Sequence, residues 1–253
     1  MHLPEIDKYA HLDSPIHRWD ARARILSVTA LLLVTVFLPT VPLAVAALGA
    51  ALVLLGLTRI PISFVFAHLK WVLMFCLFLI AVMGLTAGGP AIWSAGPLQV
   101  SARGLARAGL ISVRAVTAVL LIYPMMGTAR VHVSLKALQG LGVPQVAVQI
   151  LSFSYRYTFV LFDELGRMLT AARARGLSRA RGLRAFENFG SMVGMLFVRS
   201  FDRTERVYNA MLARGYQGRA ESLHEFHFAP ADAAKAALVL AAAASLATAG
   251  ILI

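Results

Sequence analysis

Residues 25–57 read ILSVTALLLVTVFLPTVPLAVAALGAALVLLGL and contain no charged side chain. Pro39 and Pro42 divide this stretch into an apolar run at 25–38 and a second at 41–57. Proline interrupts helices, so the two runs form separate elements. Uninterrupted apolar runs of this kind are typical of helices that cross a bilayer. We therefore predict a tight hairpin of two membrane-spanning helices.

Three further apolar runs extend this pattern along the chain. They lie at about 71–85, 105–126 and 236–253, and a mixed lead-in at 61–70 is expected to lie in the membrane interface. Residues 86–101 carry no charge and are rich in glycine and proline, which predicts an irregular loop. The fold class is therefore all-α, a multi-span helical membrane protein with about five transmembrane helices. The predicted divisions are an N-terminal segment at 1–24, a four-span region at 25–127, a polar region at 128–230 and a final span at 231–253.

The overall composition agrees with a membrane protein. Hydrophobic residues make up 59% of the 253 residues and charged residues 14%, against about 45–50% and 25% in soluble domains. The net charge of +12 could indicate nucleic acid as a partner. Because most of the basic residues lie outside the apolar runs, membrane orientation explains the charge better, and we expect membrane lipid and no nucleic acid as partners.

A block rich in arginine follows the fourth apolar run. Between residues 167 and 219 the sequence has eleven arginines and only three acidic residues, Glu187, Asp202 and Glu205. The positive-inside rule places such a block in the cytoplasm. Four preceding spans return the chain to its starting side. We therefore expect a multi-pass protein of the cell (inner) membrane with a cytoplasmic N-terminus, no cleavable signal peptide and an external C-terminus.

The polar region has the periodicity of amphipathic helices. One apolar face recurs every four residues, and another follows spacings of three and four; their members are Tyr157, Leu161, Leu165 and Leu169, and Phe186, Phe189, Val193, Leu196 and Ser200. The apolar core at 189–198 is too short to cross a bilayer. A shorter amphipathic helix is predicted at 131–138, closed by Gly140, with Pro144 opening the next helix.

Two of these predicted helices end in the same tripeptide, Ala174-Arg175-Gly176 and Ala213-Arg214-Gly215. Helix capping alone can account for each, because glycine at C′ stops a helix and a cation in the last turn is favoured by the helix dipole. The alternative is an anchor, since a guanidinium at the tip of a helix can form a bidentate bond with a carboxylate in a groove of another protein.

The chain resembles the T component of energy-coupling-factor importers, most closely the CbiQ branch, which serves cobalt or nickel uptake. The resemblance covers nearly the whole chain and rests on the paired tripeptides and on two N-terminal segments, at 6–10 (IDKYA) and 14–20 (SPIHRWD). One departure is Ala21, where the family pattern usually has proline. Asp20 remains a suitable N-cap for the first helix.

The resemblance implies a transmembrane coupling subunit that links ATPase subunits to a substrate-binding membrane subunit. In the family, the tripeptides end two coupling helices and insert into grooves of two P-loop ATPase subunits, here CbiO-like. That role is implied for Ala174, Arg175, Gly176, Ala213, Arg214 and Gly215. The other implied partners are a CbiM-like substrate-binding subunit and, as a further candidate, a small CbiN-like subunit.

The chain itself is predicted to be no enzyme and to bind no cofactor. The sequence has no G-x-x-x-x-G-K-[ST] motif, so ATP is expected to bind to the partner subunits. The alternatives are a T subunit for a vitamin such as biotin, a stand-alone channel or secondary transporter, and a membrane-bound enzyme. The transporter would need a polar pathway within this chain, and the enzyme a catalytic cluster at the cytoplasmic face.

A few polar residues remain open to two interpretations. Arg107 and Arg114 lie near one face of the fourth span, where a charge needs a partner either in the substrate-binding subunit or within the chain. His224 and His227 lack the further ligands of a closed metal site, and His2 could chelate a metal only together with the amino terminus. Cys76, the single cysteine, is expected to fill a place in the core.

Overall fold

The computed structural model describes residues 12–88, 90–95, 98–176, 182–218, 226 and 228–252. This part of the chain forms eight α-helices and one antiparallel pair of strands. In chain order they are α1 (Ala21–Phe37), α2 (Val41–Thr58), α3 (Ile62–Thr86), β1 (Ala91–Ala95), β2 (Leu98–Ser101), α4 (Ala102–Met126), α5 (Val131–Gly140), α6 (Gln145–Ala174), α7 (Leu183–Ala213) and α8 (Pro230–Leu252). The all-α, multi-span fold class is confirmed.

The chain divides into two compact units. The first unit comprises residues 1–141 and 224–253, and the second comprises residues 142–223. The helix α5 belongs to the first unit, although the sequence groups it with the polar region. The second unit contains α6 and α7, the two long amphipathic helices.

Among the described helices, α2, α3, α4 and α8 are long and apolar enough to cross a membrane. The first predicted span, α1, forms as a helix but does not join this group. It has 17 residues and carries Arg22 and Arg24 in its first turn. Its apolar part from Ile25 is therefore about 20 Å long, shorter than the hydrocarbon core of a bilayer. Among the described helices, four thus have the length and composition of spans, and α1 packs with them as a shorter helix.

The third span begins earlier than the apolar run suggests. The helix α3 starts at Ile62 directly after Pro61 and continues through His68 and Lys70. The expected interfacial lead-in is therefore the first part of the same helix. The side chains of Phe66 and Trp71 in this part of α3 are largely exposed. Polar residues therefore lie among exposed apolar residues here, and the helix continues through them.

The core of the first unit forms where α1 packs between α4 and α8. Val28, Leu31 and Leu121 are almost completely buried there. Near the start of α8, Lys235 Nζ lies 3.3 Å from the Pro15 carbonyl oxygen, and near its end Gly250 lies against Pro39. Both ends of α8 thus lie beside the corresponding ends of α1, so the two helices run parallel.

The helices α3 and α4 pack closely through small residues. Gly104 and Ala108 are buried, and a Cβ added at Gly104 would lie 2.9 Å from Ala87 Cβ, closer than real Cβ atoms approach. One further turn along, Cys76 Sγ lies 4.0 Å from the Ser112 carbonyl oxygen. Cys76 is buried, as expected for a core residue.

The segment between α3 and α4 is more regular than the predicted loop. The strands β1 and β2 pair antiparallel, with Ala95 opposite Leu98 and Trp93 opposite Val100, and the register shifts between Ala91 and Trp93. The glycines and prolines of the segment favour turns, so they predict a loop. The two runs of strand-forming residue types between them are too short to outweigh that signal. This hairpin connects the ends of the two longest spans.

Candidate functional site

Both tripeptides lie at helix ends and stop their helices in the same way. Arg175 and Arg214 are the C-cap residues of α6 and α7, and the following glycines, Gly176 and Gly215, have φ of +75° and +84°. The N–H groups of these glycines donate to carbonyl oxygens three residues earlier. The capping interpretation of the tripeptides is therefore correct for the backbone.

The end of α7 is a complete Schellman motif. The Gly215 N–H donates to the Leu212 carbonyl at 2.9 Å, and the Tyr216 N–H donates to the Met211 carbonyl at 3.0 Å. These two bonds fix the backbone on both sides of Arg214. The Arg214 side chain therefore projects from a rigid end, which lowers the entropy lost when it binds.

All six residues of the two tripeptides are exposed. They are Ala174, Arg175, Gly176, Ala213, Arg214 and Gly215. Because alanine and glycine flank each guanidinium, no bulky side chain surrounds it. A partner could therefore enclose the whole tip in a narrow groove, where the guanidinium would meet carboxylates away from water.

The structure does not bring the two tips together. The helices α6 and α7 cross antiparallel, because Gln149 Nε2 donates to the Tyr216 hydroxyl at 2.5 Å near one end while Glu164 meets Arg199 further along. Arg214 therefore lies near the start of α6, and Arg175 lies at its end. At 1.5 Å per residue, the two arginines are about 40 Å apart along α6.

An ion-pair cluster holds the crossing. Glu164 Oε1 lies 2.5 Å from Arg199 Nη1 of the facing helix, and Glu164 Oε2 lies 2.6 Å from Arg167 Nη2 one turn along its own helix. The hydrogen bond from Arg167 and then that from Arg199 hold the pKa of Glu164 below its usual value. Sequence periodicity does not predict this cluster, because Glu164 and Arg199 are 35 residues apart. The available signal was an acidic residue near the start of an arginine-rich block.

Two grooves separate α6 and α7 on either side of their crossing. One has a volume of about 530 Å³ and extends from the Glu164 cluster to Arg175, past Met168, Met192 and Met195. The other has a volume of about 290 Å³ and is lined by Phe153, Tyr157, Tyr208 and Tyr216 among others. The helices thus touch mainly at their crossing and near the Tyr216 end.

The predicted amphipathic faces differ in their burial. Tyr157, Leu161, Leu165 and Leu169 are each partly buried on α6. On α7, by contrast, Phe186 and Phe189 are 81% and 54% exposed. The apolar face of α7 that the periodicity identifies is thus largely uncovered in the chain alone.

Of the two arginines in the fourth span, Arg114 has a hydrogen-bond partner within the chain. Arg114 donates through Nη2 to the Leu38 carbonyl oxygen at the turn between α1 and α2. Of the two interpretations left open, the structure therefore supplies an internal partner for Arg114, and it is a backbone carbonyl. Arg107 is exposed and lies two turns nearer the start of α4.

Metal-ligating residues do not cluster in the part of the chain that the structure describes. No group of three or more His, Cys, Asp or Glu side chains there could hold a metal ion. His2, His224 and His227 lie outside the described residues, as does the IDKYA segment at 6–10. Within the SPIHRWD segment, Asp20 is the N-cap of α1 and accepts from the Arg22 N–H at 2.8 Å, as predicted.

These features define a class of protein: a multi-pass helical membrane protein that carries a crossed pair of long helices with exposed arginine tips. The model of the CbiQ family, described as cobalt transport protein, matches residues 13–225. The energy-coupling factor transporter transmembrane protein EcfT of Bacillus subtilis (strain 168) is 32% identical over 228 residues, which cover 84% of each chain. EcfT of Acidaminococcus fermentans is 27% identical over 249 residues, 93% of this chain and 92% of that protein.

The chain belongs to the EcfT/CbiQ family, the transmembrane T components of energy-coupling factor transporters. EcfT of Streptococcus equi subsp. equi (strain 4047) is similar at 29% identity over 224 residues, which cover 84% of this chain and 83% of that protein. The protein is a non-catalytic transmembrane subunit, as the sequence indicates.

Proposed function

We propose that this T subunit couples two P-loop ATPase subunits to a substrate-binding membrane subunit through Arg175 and Arg214. The observation that carries the proposal is that the same exposed tripeptide caps both α6 and α7, at opposite ends of one antiparallel pair. Capping needs only the glycine and tolerates many residues before it. Two identical tips therefore fit two similar grooves.

The proposed mechanism is mechanical. Each guanidinium binds carboxylates in a groove of one ATPase subunit, and ATP-driven closure of the two subunits draws the tips toward each other. Long helices move as rigid rods, so displacement of the tips changes the angle at which α6 and α7 cross. The Glu164–Arg199 ion pair lies at this crossing and provides a contact about which the rods can turn. The substrate need not touch this chain.

The proposed orientation has α6 and α7 on the cytoplasmic side. Their arginine content supports this placement through the positive-inside rule. In this proposal the starts of the parallel helices α1 and α8 face the cytoplasm, and the end of α8 and the β1–β2 hairpin lie on the external side. ATPase subunits bind nucleotide in the cytoplasm, where the tips would be accessible to them.

We propose cobalt or nickel ions as the transported substrate, with CbiO-like ATPases and a CbiM-like substrate-binding subunit as partners. The description of the matching family supports this choice. The names of the similar EcfT proteins specify no substrate. A vitamin such as biotin is therefore the alternative, and it is distinguished by which radiolabelled compound the assembled complex imports.

Charge reversal at the tips tests the coupling role. We expect Arg175→Glu and Arg214→Glu each to weaken co-purification with the ATPase subunits by at least about 30-fold, as for the loss of a strong interface anchor. Uptake of radiolabelled cobalt or nickel by cells that express the full complex should fall accordingly. Biotin uptake, measured in parallel, tests the alternative substrate.

Arg206→Glu is the matched control. Arg206 is exposed on α7 about two turns before the tip, so its reversal makes the same change in net charge. This variant should retain both ATPase association and uptake. If the two tip variants also retain both, Arg175 and Arg214 do not couple the subunits.

A further inference from the structure

The turn between α1 and α2 lies at the level of the middle of α4. Arg114, which donates to the Leu38 carbonyl at this turn, is the thirteenth of the 25 residues of α4. The twelve residues before it are about 18 Å long. This part of α4 therefore rises beyond the α1–α2 turn, toward the β1–β2 hairpin.

Three arginines lie along this part of α4. Arg107 precedes Arg114 by about two turns, and Arg103 precedes Arg107 by about one turn, so the three lie on one side of the helix. We call Arg103, Arg107 and Arg114 the arginine ladder. An adjacent side of α4 packs on α3 through Gly104 and Ser112. The ladder therefore faces the space above the α1–α2 turn.

The described residues of the first unit offer these arginines no carboxylate. The sequence has no acidic residue between Asp20 and Asp163, so α1 to α5 carry none. The described acidic residues of the unit, Asp13, Asp20 and Asp232, lie near the starts of α1 and α8, at the opposite end of both helices. Arg103 and Arg107 are exposed, and Arg114 is half-buried. Within the part of the chain that the structure describes, three positive charges thus share one end of a membrane bundle without a counter-ion.

Polar groups at the foot of the ladder are also unsatisfied. Among the described residues, buried Arg114 Nε and buried Thr40 Oγ1 have no hydrogen-bond partner. The helix α2 begins at this turn without a side-chain cap, and its unpaired N–H groups add positive potential. Buried polar atoms without partners call for an explanation, and a bound anion provides one.

The surroundings of the ladder are apolar and exposed. At the α1–α2 turn the side chain of Phe37 is 79% exposed, and those of Val41 and Val45 are also exposed. A soluble anion gains nothing from such a surface, whereas a phospholipid can lay an acyl chain along it and direct its headgroup at the arginines. Basic sites between transmembrane helices bind anionic lipid headgroups in this way.

We propose that the arginine ladder binds the phosphate of an anionic phospholipid headgroup at the hairpin end of the membrane bundle. The guanidinium forks of Arg103 and Arg107 bind the phosphate oxygens, and the acyl chain lies against the apolar residues of the α1–α2 turn. The bound lipid supplies the negative charge that the described residues lack there. This site is independent of the coupling role of Arg175 and Arg214.

The site can be tested on the purified, delipidated full-length chain in detergent. Phosphatidylglycerol and phosphatidylcholine are titrated separately, and retained lipid is counted by native mass spectrometry. The wild-type chain should retain phosphatidylglycerol more tightly than phosphatidylcholine. Because a basic residue near the membrane surface contributes about five-fold in affinity for anionic lipid, we expect Arg103→Gln with Arg107→Gln to weaken phosphatidylglycerol binding by about 25-fold.

The controls separate this site from other sources of affinity. Arg59→Gln makes the same type of charge change at an exposed residue at the other end of α2, and it should leave the tightest phosphatidylglycerol site intact. Arg107→Lys keeps the charge without the fork and should bind with intermediate affinity. Glycerol phosphate is added as a competitor; if it displaces phosphatidylglycerol at equal concentration, the site binds free phosphate and the acyl chain contributes nothing.

Three further results would overturn the lipid site. They are equal retention of the two lipids by wild type, equal retention of phosphatidylglycerol by the double variant and by Arg59→Gln, and loss of the substrate-binding subunit from the double variant with lipid binding unchanged. The last result would assign the ladder to a protein partner. Arg175→Glu and Arg214→Glu should leave lipid binding intact, so failure of the coupling proposal would be visible separately.

Discussion

At the scale of single residues, the structure explains why an arginine lies in the middle of α4, which the sequence alone does not show. In an uninterrupted helix, the carbonyl of Leu38 would accept a hydrogen bond from the N–H of residue 42. Residue 42 is proline, which has no N–H, and α1 ends at Phe37. Arg114 donates to this carbonyl instead. The arginine in the middle of α4 thus satisfies the turn of a neighbouring hairpin.

Replacement of Arg114 should therefore destabilise the first unit. We expect Arg114→Leu to lower the free energy of unfolding by about 1–3 kcal/mol, because the Leu38 carbonyl loses its donor while it remains buried. Arg114→Lys should lose less, since an ammonium can still donate. Thermal unfolding of the purified chain in detergent measures both. Equal stability of Arg114→Leu and wild type would show that the carbonyl is solvated by other means.

Residue types predicted the helix ends but not the long-range partners. The glycine of each tripeptide identified where α6 and α7 stop, because glycine acts locally through its positive φ. Asp20 was recognised as an N-cap for the same local reason. The Glu164–Arg199 ion pair was not predicted, because nothing in a helical period specifies which residues of a second helix lie opposite.

At the scale of elements, the contact between α3 and α4 depends on the absence of a side chain at Gly104. We expect Gly104→Ala to destabilise the first unit by about 1–3 kcal/mol, as added volume does in a closely packed core. The new Cβ would press on the Met83 carbonyl and on Ala87. The midpoint of thermal unfolding in detergent should therefore fall.

Gly109→Ala is the control on the same helix. A Cβ at Gly109 would meet no atom within 4 Å, and alanine favours the helix. This variant should be as stable as wild type or slightly more so. A stable Gly104→Ala variant would mean that α3 and α4 can separate without loss.

The elements that were predicted correctly have local stop signals, and those that were not lack them. Gly140 and Pro144 correctly bounded α5 and α6. The start of α3 was misplaced because His68 and Lys70 interrupt the apolar run without interrupting the backbone helix. The pairing of β1 with β2 was not predicted, because a strand forms only against a partner strand. A hydropathy pattern describes one segment at a time and does not show which segments pair.

At the scale of the whole molecule, the proposed orientation predicts from which side of the membrane individual residues can be labelled. We expect a cysteine at Asn209, exposed on α7, to react with a membrane-impermeant maleimide only in inside-out vesicles. A cysteine at Thr86, exposed at the end of α3, should react only in intact spheroplasts. Mass spectrometry of the labelled chain measures both.

The native chain is its own control in this experiment. Cys76 is 4% exposed and should remain unlabelled in either preparation. Labelling of Asn209→Cys from outside the cell would place the arginine tips beyond the reach of nucleotide-driven subunits. The proposed function would then be wrong, whatever the fold.

The antiparallel crossing also constrains how the chain can vary. The helices α6 and α7 have 30 and 31 residues, so a half-turn about an axis through their crossing nearly exchanges their C-terminal ends. If the two motor subunits are copies of one polypeptide, they present identical sockets to helices that otherwise differ in sequence. Only the residues inside the sockets must then agree, which accounts for one tripeptide ending two helices of different sequence.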